Sequence, residues 1–190
     1  MKKSVVMFVA AVLLCLCGCS KKSEAQAAQS QQSPFQSQFN VSAEEETFTK
    51  EAKLCDLAQK YNFKVGACIS YNQLNRSGYI KMLTEDFNTT TATNEFKAYS
   101  LLDQKKSIEA GKPMMNYAQA DSIARMAQEK GIGIRGHVLV WDAYMTEWFF
   151  REGFRGDGMI VGKEEMESRV KSYIEDVVTH FETAFPGVVY

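Results

Sequence analysis

Short apolar segments alternate with amphipathic helical segments along most of this chain. Residues 63–69, 87–92 and 132–140 are apolar-rich or β-branched and are typical of buried strands, and a fourth strand is predicted over residues 187–190. Strands that alternate with helices pair in parallel, because the helices form the crossover connections. The sequence therefore predicts an α/β fold, in which functional side chains collect at the carboxyl ends of the strands.

Helices are predicted between these strands. The first begins near Ser42, a residue suited to an N-cap, and its apolar stripe comprises Phe48, Ala52, Cys55, Leu57 and Ala58. A short helix is predicted over residues 78–86. Another is predicted over 118–130, with Gly131 as its C-cap and a buried face of Ala120, Ile123, Ala124 and Ala127. A long helix over 163–185 has an apolar stripe of Met166, Val170, Tyr173, Ile174, Val177, Val178 and Phe181.

The predicted third strand carries polar and aromatic groups towards its carboxyl end. Side chains alternate along a strand, so Arg135, His137 and Trp141 should share one face, while the other face carries Ile134, Val138 and Val140. A His and a Trp at the end of an apolar parallel strand suit a site for a hydroxylated ligand. The alternative is a core histidine packed beside a core tryptophan.

The first residues read as an export signal rather than as part of the fold. Residues 1–18 combine a short basic start with an apolar run, and Cys19 follows a small residue, as in a bacterial lipoprotein processing site. An ordinary signal peptide or an uncleaved anchor are the alternatives. Residues 19–43, rich in Ser, Gln, Ala and Lys, are predicted to be a flexible tether. The protein is therefore expected to be exported and held by lipid on Cys19 at the bacterial cell membrane or surface.

Residues 44–190 remain for a folded domain. They are far fewer than the about 250 that a complete eight-stranded (β/α) barrel requires. Two cysteines, Cys55 and Cys68, fall in this part of an exported chain. They are predicted to be two buried free thiols, with a disulfide between them as the alternative.

Composition and motifs exclude several functions. The formal charge of −1 gives no indication of nucleic-acid binding. With two histidines and no paired-cysteine motif, no metal site is predicted, and His180 is expected to be a surface or flanking residue. The glycines at 131 and 133 precede a strand rather than a helix, so they do not form a phosphate-binding loop. No cofactor is predicted.

Six segments, taken in order, resemble the xylanases of glycoside hydrolase family 10. They are FKVGA at 63–67, FNTTTATNEFK at 87–97, YAQAD at 117–121, RGHVLVW at 135–141, EWFFREG at 147–153 and FPGVVY at 185–190. The resemblance implies an incomplete (β/α)8 TIM barrel, comprising about the first three to four β/α units. It implies an endo-1,4-β-xylanase that acts on xylan or xylo-oligosaccharides by retaining double displacement.

The resemblance also implies that the two catalytic glutamates lie beyond Tyr190. A retaining glycosidase needs two carboxyl groups that flank the bond, one as acid/base and one as nucleophile. Glu95 and Asp142 do not occupy the family's catalytic positions. The chain by itself is therefore expected to be inactive, as the N-terminal part of such an enzyme. A truncated reading frame, an enzyme split over two chains and an incomplete sequence are the alternatives.

The residues of this chain that match the family's sugar-binding positions are Asn94, Lys97, His137 and Trp141. The resemblance implies that the first two hydrogen-bond xylose hydroxyls, that His137 donates to the sugar next to the cleaved bond, and that Trp141 shapes the pocket.

This chain departs from the family pattern at Thr93, Asp142, Tyr144 and Thr146, which replace the usual Glu, His, Gln and Pro. Either the specificity has changed or the site is decaying. The alternative function is a non-catalytic surface lipoprotein that binds xylan or oligosaccharides.

Overall fold

The fold is described by a computed structural model over residues 52–190. The predicted signal segment 1–18, with Cys19, the tether 19–43 and the helix start at Ser42 with Phe48 lie outside the described residues.

Three short parallel strands form the sheet. They are β1 (Gly66–Ile69), β2 (Thr89–Ala92) and β3 (Gly133–Ile134), in the order β1-β2-β3. Residues 188–190 lie beside β3 as an isolated parallel bridge. The Ile134 N–H donates to the Val188 carbonyl at 2.7 Å, and the Ile134 carbonyl accepts from the Tyr190 N–H at 3.0 Å. The parallel α/β prediction is confirmed, and an open sheet of this kind is consistent with an incomplete barrel.

Six α-helices are described in residues 52–190. They are α1 (Leu54–Lys60), α2 (Ser77–Asp86), α3 (Ala98–Leu101), α4 (Gln104–Ala110), α5 (Ala118–Lys130) and α6 (Lys163–Ala184). Single turns of 3₁₀-helix occur at Tyr71–Gln73, Glu147–Phe150 and Glu152–Phe154. The sequence did not predict α3 and α4.

Helix α5 packs on the sheet with the predicted face. Its buried residues are Ala120, Ile123, Ala124 and Ala127. The helix ends where Gly131 takes a left-handed conformation with φ of 67°, and the Gly131 N–H donates to carbonyls of the last turn. Both predictions for this helix are confirmed, because small residues at helical spacing allow close approach to the strands.

Helix α6 contributes a second set of buried side chains to the core. Tyr173, Val177 and Phe181 are buried as predicted, and Phe181 stacks on Phe96 with ring centroids 4.7 Å apart. Val178, another apolar residue of this helix, is 42% exposed and lies outside the buried face. Arg169 is buried on this helix without having been predicted.

The third strand is much shorter than the predicted 132–140. The backbone continues to pair through Arg135 N–H, which donates to the Thr90 carbonyl, and Gly136 N–H, which donates to the Tyr190 carbonyl. Beyond Gly136 the segment leaves the sheet and no longer pairs with its neighbours. The predicted alternation of Arg135, His137 and Trp141 on one strand face is therefore wrong.

The other strand boundaries also differ from the predictions. Phe63 is exposed, and its N–H donates to the Ala58 carbonyl, so this residue closes α1 instead of starting β1. At the other end, Gly187 has a φ of 74° and turns the chain into the bridged segment 188–190. Local helix-ending geometry thus competes with the apolar pattern at both places.

No helix within residues 52–190 has the length and apolar character needed to cross a bilayer.

Candidate functional site

The loop after β2 is held by a buried carboxylate. Glu95 is 7% exposed, and its two oxygens accept the Tyr71 N–H at 2.6 Å and the Asn94 N–H at 3.0 Å. These bonds fasten the loop that follows β2 to the turn that follows β1. The Glu95 carboxylate is therefore occupied by backbone donors, and it fixes the positions of Asn94 and Lys97 on either side of it.

Three of the four predicted sugar-binding residues lie together. Lys97 Nζ donates to Asn94 Oδ1 at 3.1 Å, and the same ammonium lies 5.3 Å from the centroid of the Trp141 ring. Asn94 and Lys97 come from the loop after β2, and Trp141 comes from the loop after β3. The structure thus brings an amide, a cation and an aromatic ring to the carboxyl ends of adjacent parallel strands.

His137, the fourth predicted residue, lies on the same loop as Trp141 but lines a cavity of about 310 Å³. The lining residues are mostly apolar: Phe96, Gly136, Leu139, Val177, Val178, Phe181, Glu182, Val189 and Tyr190. Asn94, Lys97 and Trp141 are not among them. Phe96, which lies between Glu95 and Lys97 in the loop after β2, also lines this cavity.

Two tyrosines that were not predicted as site residues join the cluster. The Tyr99 hydroxyl donates to Asn94 Oδ1 at 2.6 Å, and Tyr144 lies beside Trp141 with ring centroids 4.7 Å apart. Tyr144 was noted only as a departure from the family pattern. Tyr99 is the second residue of α3, a helix that the sequence does not predict, so its only sequence signal is an aromatic residue two positions after Lys97.

Partial burial and neighbouring charge shift the pKa of Tyr99. Partial burial, then the Glu95 carboxylate and the Tyr144 hydroxyl, raise the pKa of Tyr99 above the ordinary value for tyrosine. The phenol is therefore neutral at physiological pH and remains a hydrogen-bond donor.

The remaining candidate groups lie outside this cluster. Cys55 and Cys68 are free thiols, which confirms that prediction, but Cys68 is exposed and Cys55 is half-buried, so the prediction that both are buried is wrong. His180 is partly exposed, its Nε2 donates to the Asp121 carboxylate at 2.7 Å, and its ring stacks on Tyr117. Within residues 52–190, no group of three or more His, Cys, Asp or Glu side chains could hold a metal ion.

An open parallel sheet with helices between its strands, and with polar and aromatic side chains beyond their carboxyl ends, is consistent with part of a (β/α) barrel. The family model described as Glycosyl hydrolase family 10 matches residues 53–189. The chain therefore belongs to glycosyl hydrolase family 10.

Curated relatives are considerably longer than this chain. It is 38% identical over 128 residues to endo-1,4-beta-xylanase A of Thermotoga maritima, a match that covers 67% of this chain and 11% of the relative. It is 33% identical over 133 residues to endo-1,4-beta-xylanase B of Butyrivibrio fibrisolvens, covering 67% of this chain and 21% of the relative. The chain thus spans about a tenth to a fifth of the length of these two proteins.

Solved structures share the fold. The xylanase 10B of Clostridium thermocellum, complexed with xylohexaose, has a TM-score of 0.61 and 29% identity, and the match covers 65% of this chain and 24% of that one. A psychrophilic family 10 endo-beta-1,4-xylanase has a TM-score of 0.58 and 29% identity, covering 72% and 39%. These matches support the assignment of the described residues to part of a TIM barrel.

Proposed function

We propose that this chain forms the sugar-binding wall, on the non-reducing side of the cleaved bond, of an endo-1,4-β-xylanase domain that hydrolyses xylan with retention. The observation that carries the proposal is the cluster of Asn94, Lys97 and Trp141 beyond two adjacent parallel strands of a family 10 chain. The xylohexaose complex of a similar structure supports the choice of substrate.

The three side chains suit a pyranose with hydroxyls at its rim. An ammonium offers donors, an amide offers donors and an acceptor, and an indole ring offers a flat apolar face. Asn94 and Lys97 would hydrogen-bond sugar hydroxyls, and Trp141 would pack against the ring. His137 is proposed to donate to the sugar nearest the cleaved bond.

The acid/base and the nucleophile are proposed to come from residues beyond these 190. Retaining hydrolysis requires two carboxyl groups about 5–5.5 Å apart that flank the bond. Glu95, the buried carboxylate nearest the cluster, is bonded to two backbone N–H groups. The greater length of the relatives is in keeping with a complete domain that has many more residues.

Calorimetric titration of the full chain with xylohexaose tests the sugar-binding role. Lys97→Met and Trp141→Ala are each expected to weaken binding by about tenfold or more. The first removes a charged donor from the site, and the second removes an aromatic face. Lys105→Met, an exposed lysine of α4, is the control and should leave binding unchanged. Binding that is equal in all four proteins would contradict the proposal.

Hydrolysis assays test the proposed division of the active site. The purified chain is expected to release no reducing sugar from xylan, because both catalytic carboxylates are proposed to lie outside these residues. Mixing with, or fusion to, the remaining barrel units of a family 10 xylanase is expected to restore hydrolysis. Turnover of xylan by the chain alone would show that the assignment of its catalytic groups is wrong.

A non-catalytic, glycan-binding surface protein is the second candidate function. The observation in its favour is the exposed Trp141 and Tyr144 pair, which lies in the loop that departs from the family pattern at Asp142 and Tyr144. Sugar binding without any restored hydrolysis in the fused protein would favour this second function over the first.

Anchoring to a membrane through lipid on Cys19 is proposed with either function. The support is the sequence of residues 1–19 alone. Cells that express the chain and are fed radiolabelled palmitate should label it, and Cys19→Ser should abolish the label. A chain that takes up no label, and that migrates in gel electrophoresis like the Cys19→Ser variant, would contradict lipid anchoring.

A further inference from the structure

Three aromatic rings form a row at the carboxyl end of the sheet. Trp141 and Tyr144 have ring centroids 4.7 Å apart, and Tyr144 and Tyr99 have centroids 6.4 Å apart. Their exposed fractions are 36%, 58% and 40% respectively. Large aromatic residues that contact one another at the surface, with polar groups at their edge, mark a binding surface more often than a folding core.

The polar edge of this row is Asn94, and its orientation follows from its neighbours. An ammonium can only donate, so the Asn94 atom that faces Lys97 Nζ at 3.1 Å is the amide oxygen. The Tyr99 hydroxyl, 2.6 Å from the same oxygen, must then donate as well. With its oxygen occupied by two donors, Asn94 presents its NH₂ group to a ligand.

Tyr144 adds a second flat apolar face next to Trp141. The two rings are tilted by 47° with centroids 4.7 Å apart, so they present faces in two directions, and neighbouring sugars of one bent chain can each contact one of them. A monosaccharide would fill only one of the two faces. A phenol also has two rotatable bonds, which makes it less costly to order on binding than a longer flexible polar side chain.

We propose that Tyr144 and Tyr99 determine the ligand specificity of this site, for linear β-1,4-linked xylo-oligosaccharides of two or more units over single sugars. Tyr144 contacts the sugar that adjoins the one on Trp141. Tyr99 is a positioning residue that holds Asn94 as a hydrogen-bond donor. This inference rests on the proposed function, because it assumes that the Asn94, Lys97 and Trp141 cluster binds sugar.

Titration of the full chain with xylohexaose and with xylose tests the role of Tyr144. Tyr144→Phe keeps the ring and should bind xylohexaose within about twofold of the unmodified chain. Tyr144→Gln replaces the ring by an amide and should weaken xylohexaose binding by about fivefold or more, and should reduce the preference over xylose. Tyr61→Gln, at an exposed tyrosine next to α1, is the matched control and should have no effect.

A double-substitution cycle tests the role of Tyr99. Tyr99→Phe should weaken xylohexaose binding by about threefold to tenfold, the value of one hydrogen bond. In the Asn94→Ala background, the same substitution should have no further effect, because Tyr99 acts through Asn94. A purely structural role would give the same loss in both backgrounds and a lower melting temperature.

The outcomes separate this inference from the proposed function. Absence of xylohexaose binding by the unmodified, folded chain would overturn both. Binding that Trp141→Ala and Lys97→Met weaken, while Tyr144→Gln and Tyr99→Phe leave it unchanged, would overturn this inference alone. Loss of binding in Tyr144→Gln with retention in Tyr144→Phe, together with the Tyr99 and Asn94 coupling, would support it.

Discussion

Arg169 shows how one buried side chain organises the segment around it. Its guanidinium donates to the carbonyls of Phe149 and Arg151 at 2.7 and 2.9 Å, forms an ion pair with Glu165, and lies 3.9 Å from the centroid of the Phe154 ring. A charged residue is rarely buried without such partners. The side chain therefore fixes residues 147–154 against α6.

Arg169→Met is expected to lower the free energy of unfolding by about 2–4 kcal/mol, because two buried carbonyl groups lose their donor. Urea denaturation followed by circular dichroism measures the change. Lys171→Met removes an exposed ion pair with Glu175 on the same helix and should change the value by less than about 0.5 kcal/mol. Equal effects of the two substitutions would show that Arg169 does not fix the segment.

Two tyrosines with buried hydroxyls give the fold a dependence on alkaline pH. Burial, followed by the Asp176 and Asp121 carboxylates, raises the pKa of Tyr117, and burial followed by Tyr117 raises the pKa of Tyr173. Both hydroxyls are buried without a hydrogen-bond partner within residues 52–190. The folded state thus favours the neutral phenols.

The resulting stabilisation is complete below the unfolded pKa of about 10 and is lost as the pH rises towards the higher folded pKa. Urea denaturation between pH 7 and pH 11 should therefore show a smaller alkaline loss of stability in a Tyr117→Phe, Tyr173→Phe double variant. At pH 7, Tyr173→Phe should leave the free energy of unfolding unchanged or slightly raised, since no hydrogen bond is lost. A marked loss at pH 7 would indicate a bonded hydroxyl.

At the scale of the elements, the way a helix ends decides many of the boundaries between predicted and observed structure. Gly131 ends α5 in a left-handed conformation, and a Cβ atom built there would meet nothing within 4 Å. The cost of a side chain at this position is therefore one of backbone conformation alone.

Gly131→Ala is expected to destabilise the fold by about 1 kcal/mol. Gly78→Ala, in the first part of α2, also meets no neighbouring atom within 4 Å and should stabilise by up to about 1 kcal/mol, because alanine favours the helix. Chemical denaturation of both variants makes the comparison. Shifts of the same sign would show that the left-handed conformation is not what the glycine at 131 provides.

The sequence predicted elements in proportion to the regularity of their patterns. Helix α5 was predicted with its bounds and its buried face, because thirteen residues carry a clear helical period and a glycine stop. Helix α4 was missed despite two local signals, an Asp103 side chain that caps Lys106 N–H and a left-handed Gly111. Such short helices offer too few turns for a period to be visible.

Strand lengths were overpredicted for a different reason. The apolar run that follows Gly136 looks like strand, but β2 ends at Ala92, which the register places opposite Gly136, and offers no partner beyond it. A strand exists only where a neighbour continues beside it. Pairing between distant segments, and not the local pattern, decides where β3 ends.

At the scale of the whole molecule, the sheet of residues 52–190 is open. Among the described residues, β1 pairs with β2 alone and residues 188–190 pair with β3 alone, so both outer edges of this sheet have unpaired backbone groups. The cavity beside His137 has a largely apolar lining that includes the exposed Val178. Unpaired edges and exposed apolar surface favour association.

We therefore expect the isolated chain to self-associate. Light scattering coupled to size-exclusion chromatography should give an apparent mass that rises with concentration. Val178→Lys, which places a charge beside the cavity, should reduce this association, whereas Val140→Lys, at another exposed valine, should not. A monomer at every concentration, with one sharp melting transition, would contradict this expectation.

In the candidate site, as in the fold, some features were predicted from the sequence and others are visible only in the tertiary structure. Asn94, Lys97, His137 and Trp141 were predicted from short segments that resemble a family, and their sugar-binding roles remain predictions. That Asn94, Lys97 and Trp141 lie together could not be read from a pattern, because they come from loops after two different strands. Tyr99 and Tyr144 join them only through contacts across those loops.

The sequence by itself determined the alternation of strands and helices, the parallel class of the sheet and the buried face of α5, because these depend on periodicity within one segment. Only the tertiary structure decided where β3 stops, that Arg169 is buried, that Glu95 is held by the Tyr71 and Asn94 backbone, and which aromatic rings adjoin Trp141. These features depend on contacts between residues far apart in the chain, whose energies do not appear in any local pattern.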